Sequence, residues 1–335
     1  MKFNETDIKA TKSLIRMAKK ISIITHFNPD ADAVGSSIGL YYFLKKRNKD
    51  VTIIMPNPFP TFLDFFAANV DMLMANKYTK NACRVLKESD LIFCLDFNMI
   101  HRVGNQTKDA LSASTATKIL IDHHQEPSKE FNIKFSYPLC CSTTEVLAHF
   151  IEALSNKNAI DSKIARAIYI GMCTDTGSFS YNCNHSQVYS LVSELVDKGV
   201  KIDNIHQEIY NTFSENRLRL LGYAIYKKLK VFPKYNAAYI CLSNDELQEY
   251  KFQAGDTEGL VNLCLHLNGV NFGCLITERN KIIRLSFRSK KNTIDVNKFA
   301  RKHWEGGGHI MASGGTYQGE LKDAIAALEE QIKTL

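Results

Sequence analysis

Short apolar runs and amphipathic stretches alternate through the first two-thirds of the chain. Ile21-Ser22-Ile23-Ile24-Thr25 reads as a strand, followed by a polar loop and a helix from about Gly35 to Arg47. Val51 to Met55, Leu91 to Leu95 and Lys118 to Ile121 repeat the strand pattern, each running into polar or charged residues. Helical spacing returns near Thr144–Leu154, Ser162–Cys173 and Ser186–Lys198. This alternation predicts an α/β fold with a largely parallel sheet flanked by helices. In such sheets functional loops gather beyond the carboxyl ends of the strands.

After about residue 186 the pattern changes. Helical stretches near 186–199, 203–212 and 215–228 lead to strands near Ala237–Cys241, Phe272–Thr277 and Ile282–Arg288. A terminal helix carries Leu321, Ile325, Leu328 and Ile332 on one apolar face. The expected organisation is a first domain over 1–185, a helical linker over 186–228 and a smaller α/β domain over 229–335.

Composition narrows the class. A chain of 335 residues exceeds one core and suits two domains. With 45% hydrophobic and 23% charged residues it can bury a sizeable core without staples. The first seven residues contain no apolar signal segment, and no apolar run approaches the roughly 20 residues that span a bilayer. The nine cysteines include no C-x-x-C pair and read as free thiols of a reducing compartment. The expectation is a cytoplasmic protein with no membrane partner. A net charge of +7 says little, but Arg279 to Lys302 holds nine Lys/Arg against one acid, Asp295. That run suits either a solvated face or a patch for an anionic substrate.

Candidate chemistry falls where the strands end. His26-Phe27-Asn28-Pro29-Asp30-Ala31-Asp32 follows the first strand and precedes a helix. Its aspartates suit an Asx-turn and helix cap as well as a cation site. Leu91–Leu95 runs into Asp96, and Lys118–Ile121 into Asp122-His123-His124. Gly171 to Gly177 places Asp175 in a glycine-flanked turn. Four such carriers at one sheet edge point to metal binding. Mixed imidazole and carboxylate ligands suit Mn²⁺ or a similar borderline ion, and their number allows a pair of ions that attack phosphorus through water.

The set H-x-N-P-D-x-D-x-x-G-S, strand-Asp, D-H-H and D-T-G-x-F resembles the four motifs of the DHH phosphoesterase superfamily. Here they are His26 to Ser36, Asp96, Asp122-His123-His124 and Asp175 to Phe179. Ala31 departs from the glycine many members carry between the two aspartates. Arg284 to Ser289, Gly306-Gly307-Gly308-His309 and Gly314-Gly315 are similar to the DHHA1 substrate-binding domain. The length and domain set look most like the compact branch that trims very short oligoribonucleotides (nanoRNA) and removes the 3′-phosphate of 3′-phosphoadenosine 5′-phosphate.

The resemblance implies a ligand set. One ion would take His26, Asp30, Asp96 and Asp175, and the other Asp32, Asp96, His123 and Asp175. His124 would contact the scissile phosphate or protonate the leaving oxygen, with Asp122 orienting a histidine. Arg288, Ser289, Gly306, Gly307, Gly308 and His309 would clamp the substrate from the second domain, across an interdomain cleft. Two manganese ions are the expected cofactor, with Mg²⁺ or another divalent metal open. Short single-stranded RNA or small phosphorylated nucleotides are the expected partners, and a homodimer stays open.

Other residues read as structural. His101, His149, His185 and His266 lack a partner motif. Trp304 suits the core or a base stack, and Phe59, Phe62, Phe65 and Phe66 suit the core or an interface. Cys140 and Cys141 read as buried thiols. Competing functions are a soluble linear or cyclic dinucleotide hydrolase, a non-catalytic nucleotide-binding module, and a metal-dependent assembly protein.

Overall fold

The computed structural model describes residues 1–279, 282–290 and 293–335. They form two compact units, Met1–Thr212 and Phe213–Leu335. In chain order the first unit runs α1 (Glu5–Met17), β1 (Lys20–Thr25), α2 (Ala31–Lys45), β2 (Asp50–Met55), α3 (Asp64–Ala67), β3 (Met72–Met74), α4 (Thr79–Glu88) and β4 (Leu91–Leu95). It continues with α5 (Lys108–Ala113), β5 (Thr117–Asp122), β6 (Ile133–Ser136), α6 (Thr143–Leu154), α7 (Ser162–Asp175), α8 (Ser186–Asp197) and α9 (Ile202–Tyr210). The mixed α/β class with a parallel first sheet is as the alternation predicts.

The six strands are all parallel, in the order β3-β2-β1-β4-β5-β6. Period-two side chains make the sheet apolar on both faces. Ile21, Ile23, Phe93, Leu95, Ile119 and Ile121 join the core under α1, α2, α6 and α7. Ile24, Ile92, Cys94 and Leu120 join a second core with α4 and α5. Each fully buried Ile, Leu or Phe contributes roughly 1.5–3 kcal/mol, so this sheet is the rigid part of the unit. The chain reverses its direction of winding between β1 and β4, which opens a crevice beyond their carboxyl ends.

Two predicted bounds shift for local reasons. The helix after β1, α2, begins at Ala31 rather than near Gly35, because Asp30 caps it, accepting from the N–H groups of Asp32 and Ala33 at 3.0 Å each. Ala31 is therefore an ordinary helical residue, and the departure from glycine costs no backbone strain. Asp175 is the last residue of α7, and the left-handed turn follows it at Gly177, Ser178 and Phe179.

The second unit contains α10 (Glu215–Tyr223), β7 (Leu229–Phe232), β8 (Ala237–Leu242), α11 (Asn244–Glu249), α12 (Leu260–Leu265), β9 (Phe272–Arg279) and β10 (Ile282–Ser289). It ends with α13 (Val296–His303), β11 (Gly307–Gly308), β12 (Ala312–Gln318) and α14 (Leu321–Ile332). Its sheet, β11-β12-β10-β9-β8-β7, is antiparallel apart from the β8–β9 pair. Phe287, Phe299, Trp304, Leu328 and Ile332 share one core, and Leu220, Ile240, Leu260 and Cys264 another. Trp304 is 2% exposed and packs on Phe287 and Tyr317, which settles it as core. The stretch 186–228 supplies α8 and α9 to the first unit and α10 to the second. Lys281 and Lys291 of the basic run lie outside the described residues.

Candidate metal centre

Three strand ends deliver the chemistry to one edge. His26 follows β1, Asp96 follows β4, and Asp122 closes β5 with His123 and His124 next. Asp30 and Asp32 sit at the start of α2, and Asp175 at the end of α7. All of these side chains except Asp30 and Asp175 are buried.

Their ligand-type atoms converge in three groups that share Asp96, the third being Asp96, Asp122 and His124. In the first, His26 Nε2 lies 3.4 Å from Asp96 Oδ2 and 3.9 Å from Asp30 Oδ2. In the second, His123 Nε2 lies 3.8 Å from Asp96 Oδ1 and 4.0 Å from Asp32 Oδ2. Asp175 Oδ2 borders the second group, 3.4 Å from His123 Nε2. Asp30 thus caps α2 through Oδ1 and faces His26 with Oδ2. The two imidazoles are held from behind. His26 Nδ1 lies 3.0 Å from the Phe27 carbonyl and His123 Nδ1 3.2 Å from that of Cys140. A carbonyl only accepts, so each Nδ1 carries the proton and each Nε2 offers its lone pair to the cluster.

The electrostatics call for a cation. Among the described residues the ion-pair partners of Asp32 and Asp96 are histidines, with no lysine or arginine. Burial, and then the charges of Asp96 and Asp175, push the Asp32 carboxyl well above the usual carboxylate range. His123 is raised to about 9: burial opposes its charge, but Asp175, Asp32 and Asp96 outweigh it. Burial also resists the charge on Asp96, yet its hydrogen bond to His26 and the nearby histidines hold its carboxyl below the ordinary value. A buried acidic cluster of this kind fits divalent ions, which would replace those protons. His26, Asp30 and Asp96 would hold one ion, and Asp32, Asp96 and His123, with Asp175 alongside, the other.

The third group adds a hydrogen-bonded dyad beside Asp96. His124 Nδ1 lies 2.7 Å from Asp122 Oδ1, and 3.7 Å from Asp96 Oδ1. Asp122 is fully buried, with Oδ2 lacking a hydrogen-bond partner among the described residues. Burial lowers the pKa of His124 while Asp122 opposes that shift.

Three contributors escape a reading of the sequence. Thr143 Oγ1 donates to Asp96 Oδ1 at 2.9 Å, and Thr144 Oγ1 to Asp32 Oδ1 at 2.7 Å. The N–H groups of both threonines, at the start of α6, also donate to Asp32, so the helix end cradles its carboxylate. The signal for them was the run Ser142-Thr143-Thr144-Glu145 before an apolar helix, a cap sequence. The third is Arg102, whose carbonyl accepts from Phe27 N–H at 2.6 Å.

A profile described as the DHH family, N-terminal domain, matches residues 20–172, and one described as the DHHA1 domain matches 234–334. A solved structure of an exopolyphosphatase-related protein from Bacteroides fragilis is 38% identical, with a TM-score of 0.91 over 99% of this chain and 96% of that one. The chain belongs to the DHH/DHHA1 phosphoesterase family. This DHH phosphoesterase is also 26% identical to a Bacillus subtilis protein named bifunctional oligoribonuclease and PAP phosphatase NrnA, over 93% of this chain and 94% of the relative. A solved structure of exonuclease RecJ bound to manganese shares the fold at 14% identity, with a TM-score of 0.56 over 98% of this chain and 95% of that one. The DHH chain is a metal-dependent hydrolase that uses a divalent ion. No helix among its described residues is long and apolar enough to cross a membrane.

The DHHA1 residues lie in the second unit. Arg288 and Ser289 end β10, where Ile283, Leu285, Phe287 and Ser289 are buried and Arg284, Ser286 and Arg288 take the opposite, half-buried face. Ser289 Oγ donates to the Ile294 carbonyl at 2.6 Å. The glycine segment is partly strand. Gly307 and Gly308 form a short strand paired with Gly314 and Ser313, and Gly308 N–H is taken by Asn297 Oδ1 at 3.0 Å. A Cβ on Gly306 would sit 2.0 Å from the Gly314 carbonyl oxygen, so close backbone packing already demands glycine there. His309 follows in a tight turn closed by Ala312, its N–H donating to the Ala312 carbonyl at 2.7 Å.

Of the residues set aside, Phe66 is buried in the first core with Phe59, Phe62 and Phe65 packed against it. Cys140 and Cys141 are buried free thiols.

Proposed function

We propose that this chain hydrolyses short oligoribonucleotides and removes the 3′-phosphate of 3′-phosphoadenosine 5′-phosphate, using two divalent ions, with manganese as the native pair. The observation that carries this reading is the pair of ligand groups sharing Asp96 at the switch point of the parallel sheet. The full-length match to a relative named for both activities supports the substrate class.

When bound, the ions ease deprotonation of the attacking water and offset charge gathering on the phosphoryl oxygens. The chain's own residues supply the rest. The Phe27 and Cys140 carbonyls keep His26 and His123 in the tautomer that presents Nε2. Thr143 and Thr144 fix the rotations of Asp96 and Asp32, so the carboxylates are aimed before substrate arrives. His124 donates its Nδ1 proton to Asp122, so only its imidazolium form carries a proton at Nε2 for the leaving oxygen, and burial lowers the share of that form. Arg288, Ser289, the Gly306–Gly308 segment and His309 bind a second phosphate of the substrate, Arg288 by a bidentate contact.

The test is turnover by the purified chain in Mn²⁺ on five substrates: 3′-phosphoadenosine 5′-phosphate, a labelled RNA dimer-to-pentamer ladder, linear and cyclic dinucleotides, and polyphosphate. Polyphosphate belongs in the set because the 38% identical Bacteroides fragilis protein is named exopolyphosphatase-related. Turnover of the first two, with silence on polyphosphate, is the expected result. Activity confined to cyclic or linear dinucleotides, or to polyphosphate, would replace the proposed substrates.

A further inference from the structure

The loop from Asp96 to Gly104 carries one cation that the ligand groups do not use. Phe27 N–H donates to the Arg102 carbonyl at 2.6 Å, which ties this loop to the turn that follows β1. Asn98 Nδ2 donates to the Gln125 carbonyl at 2.6 Å, and Ser128 N–H to the Asn98 carbonyl at 2.8 Å, which tie it to the segment after β5. The loop is therefore fixed between the strand ends that bear His26 and His124. Only the backbone of Arg102 takes part in that fixing. Its side chain is half-buried, and among the described residues no carboxylate pairs with it. Its positive charge lies near enough to act on both flanking histidines, His26 and His124.

A half-buried guanidinium with no acidic partner, on a rigid loop beside an acidic cluster, is held for an anion that arrives with the substrate. We propose that Arg102 grips the non-bridging oxygens of the phosphate under attack, and that it favours a terminal phosphate monoester over an internal diester. The preference follows from charge. A monoester near neutral pH carries about −1.5 to −2, whereas a diester carries −1 and has one fewer free oxygen for a two-pronged contact. Arg102 thus makes the phosphatase half of the activity efficient, and the nuclease half depends on it less. This inference rests on the phosphoester reading above, but not on which natural substrate is correct.

The test uses the full chain loaded with Mn²⁺, as wild type, Arg102→Gln and Arg102→Lys. It compares p-nitrophenyl phosphate with bis-p-nitrophenyl phosphate, and 3′-phosphoadenosine 5′-phosphate with an RNA dimer. The glutamine variant is expected to lose about 100-fold in kcat/KM on monoesters and about 10-fold or less on diesters, with metal content unchanged. Inorganic phosphate, titrated into the loaded protein by calorimetry, should bind about tenfold more weakly to that variant. The lysine variant keeps the charge without the fork and should recover part of the monoester rate. Equal losses on both ester classes, no loss on either, or unchanged phosphate affinity would each overturn the assignment. If the glutamine variant is unfolded by its melting curve, the lysine variant decides: a monoester loss of about fivefold or more supports the role, and wild-type kinetics sink it. Wild-type protein that cleaves p-nitrophenyl esters but neither RNA nor the nucleotide would sink the substrate reading and leave the Arg102 comparison standing. Wild type that cleaves RNA and the nucleotide, with no response to Arg102, would sink this inference alone.

Discussion

The two units handle polar groups in opposite ways. In the second, the glycine-rich segment looks chemical in the sequence, and part of its backbone is used internally: Gly307 and Gly308 pair with β12, and Gly308 N–H meets Asn297. In the first, Asp32, Asp96 and His123 are buried together at the sheet edge, and apart from hydrogen bonds from Thr143 and Thr144 they meet mainly one another. Satisfied polar groups stabilise a fold whether or not anything binds. Buried carboxylates crowded together cost stability until a counter-ion arrives, so they persist where function requires them. The contrast separates a segment whose backbone is partly used in packing from a cluster whose buried charges lack a counter-ion.

The sharpest way to break that contrast is at Asp96. Its backbone is left-handed, φ 65°, a conformation that asparagine and aspartate tolerate and that costs alanine about 1–2 kcal/mol. Asp96→Asn is therefore the clean variant, whereas Asp96→Ala would mix strain with chemistry. Steady-state assays in Mn²⁺ should show Asp96→Asn losing about a thousandfold or more in kcat, with the melting temperature of the metal-free protein unchanged or higher.

Metal removal comes next. Ions that bind only the folded chain stabilise it by about 2.7 kcal/mol at a hundredfold excess over Kd, so chelation should lower the melting temperature by several degrees. The pH dependence has a definite sign. In the metal-free protein Asp32 is raised by burial and by Asp96 and Asp175, and His123 is raised to about 9 by its aspartates against burial. Groups with raised folded-state pKa values add stability below their unfolded values and lose it as pH rises through the folded ones. The gap between loaded and chelated melting temperatures should therefore widen from about pH 5 to about pH 8. A constant gap in differential scanning fluorimetry would remove the acidic cluster as the source of metal dependence.

In the second unit Arg288→Ala should raise KM for phosphorylated substrate by about 10- to 100-fold, the worth of a charge-assisted contact, at unchanged metal content by elemental analysis. Loss of metal and of binding together would make the residue structural. The smallest effect expected is at Gly171, where a Cβ would come within 2.6 Å of Asp32 Oδ1 and 2.5 Å of the Thr144 side chain. Gly171→Ala should cost about 1–3 kcal/mol in chemical denaturation and reduce metal occupancy, since the carboxylate must shift.

How much of this was legible beforehand depends on the range of the contacts involved. His26, Asp96 and Asp122-His123-His124 are readable because each follows an apolar run that must end at the sheet edge. The short strands β3 and β6, of three and four residues, carry too little period to stand out. Thr143 and Thr144 act on Asp96 and Asp32, 47 to 112 positions away, and only the folded order β1-β4-β5 brings them together. Arg102 resembles any loop arginine until the hydrogen bond to Phe27 fixes its place. The glycine run is harder to read, because glycine needed for close packing and glycine needed for an anion look alike in sequence.

Two ions sharing Asp96 at this sheet edge would be seen by anomalous diffraction from crystals grown in Mn²⁺. Two peaks are predicted, one bounded by His26, Asp30 and Asp96, the other by Asp32, Asp96 and His123 with Asp175 alongside. A single peak, or manganese anywhere other than these side chains, would contradict the account.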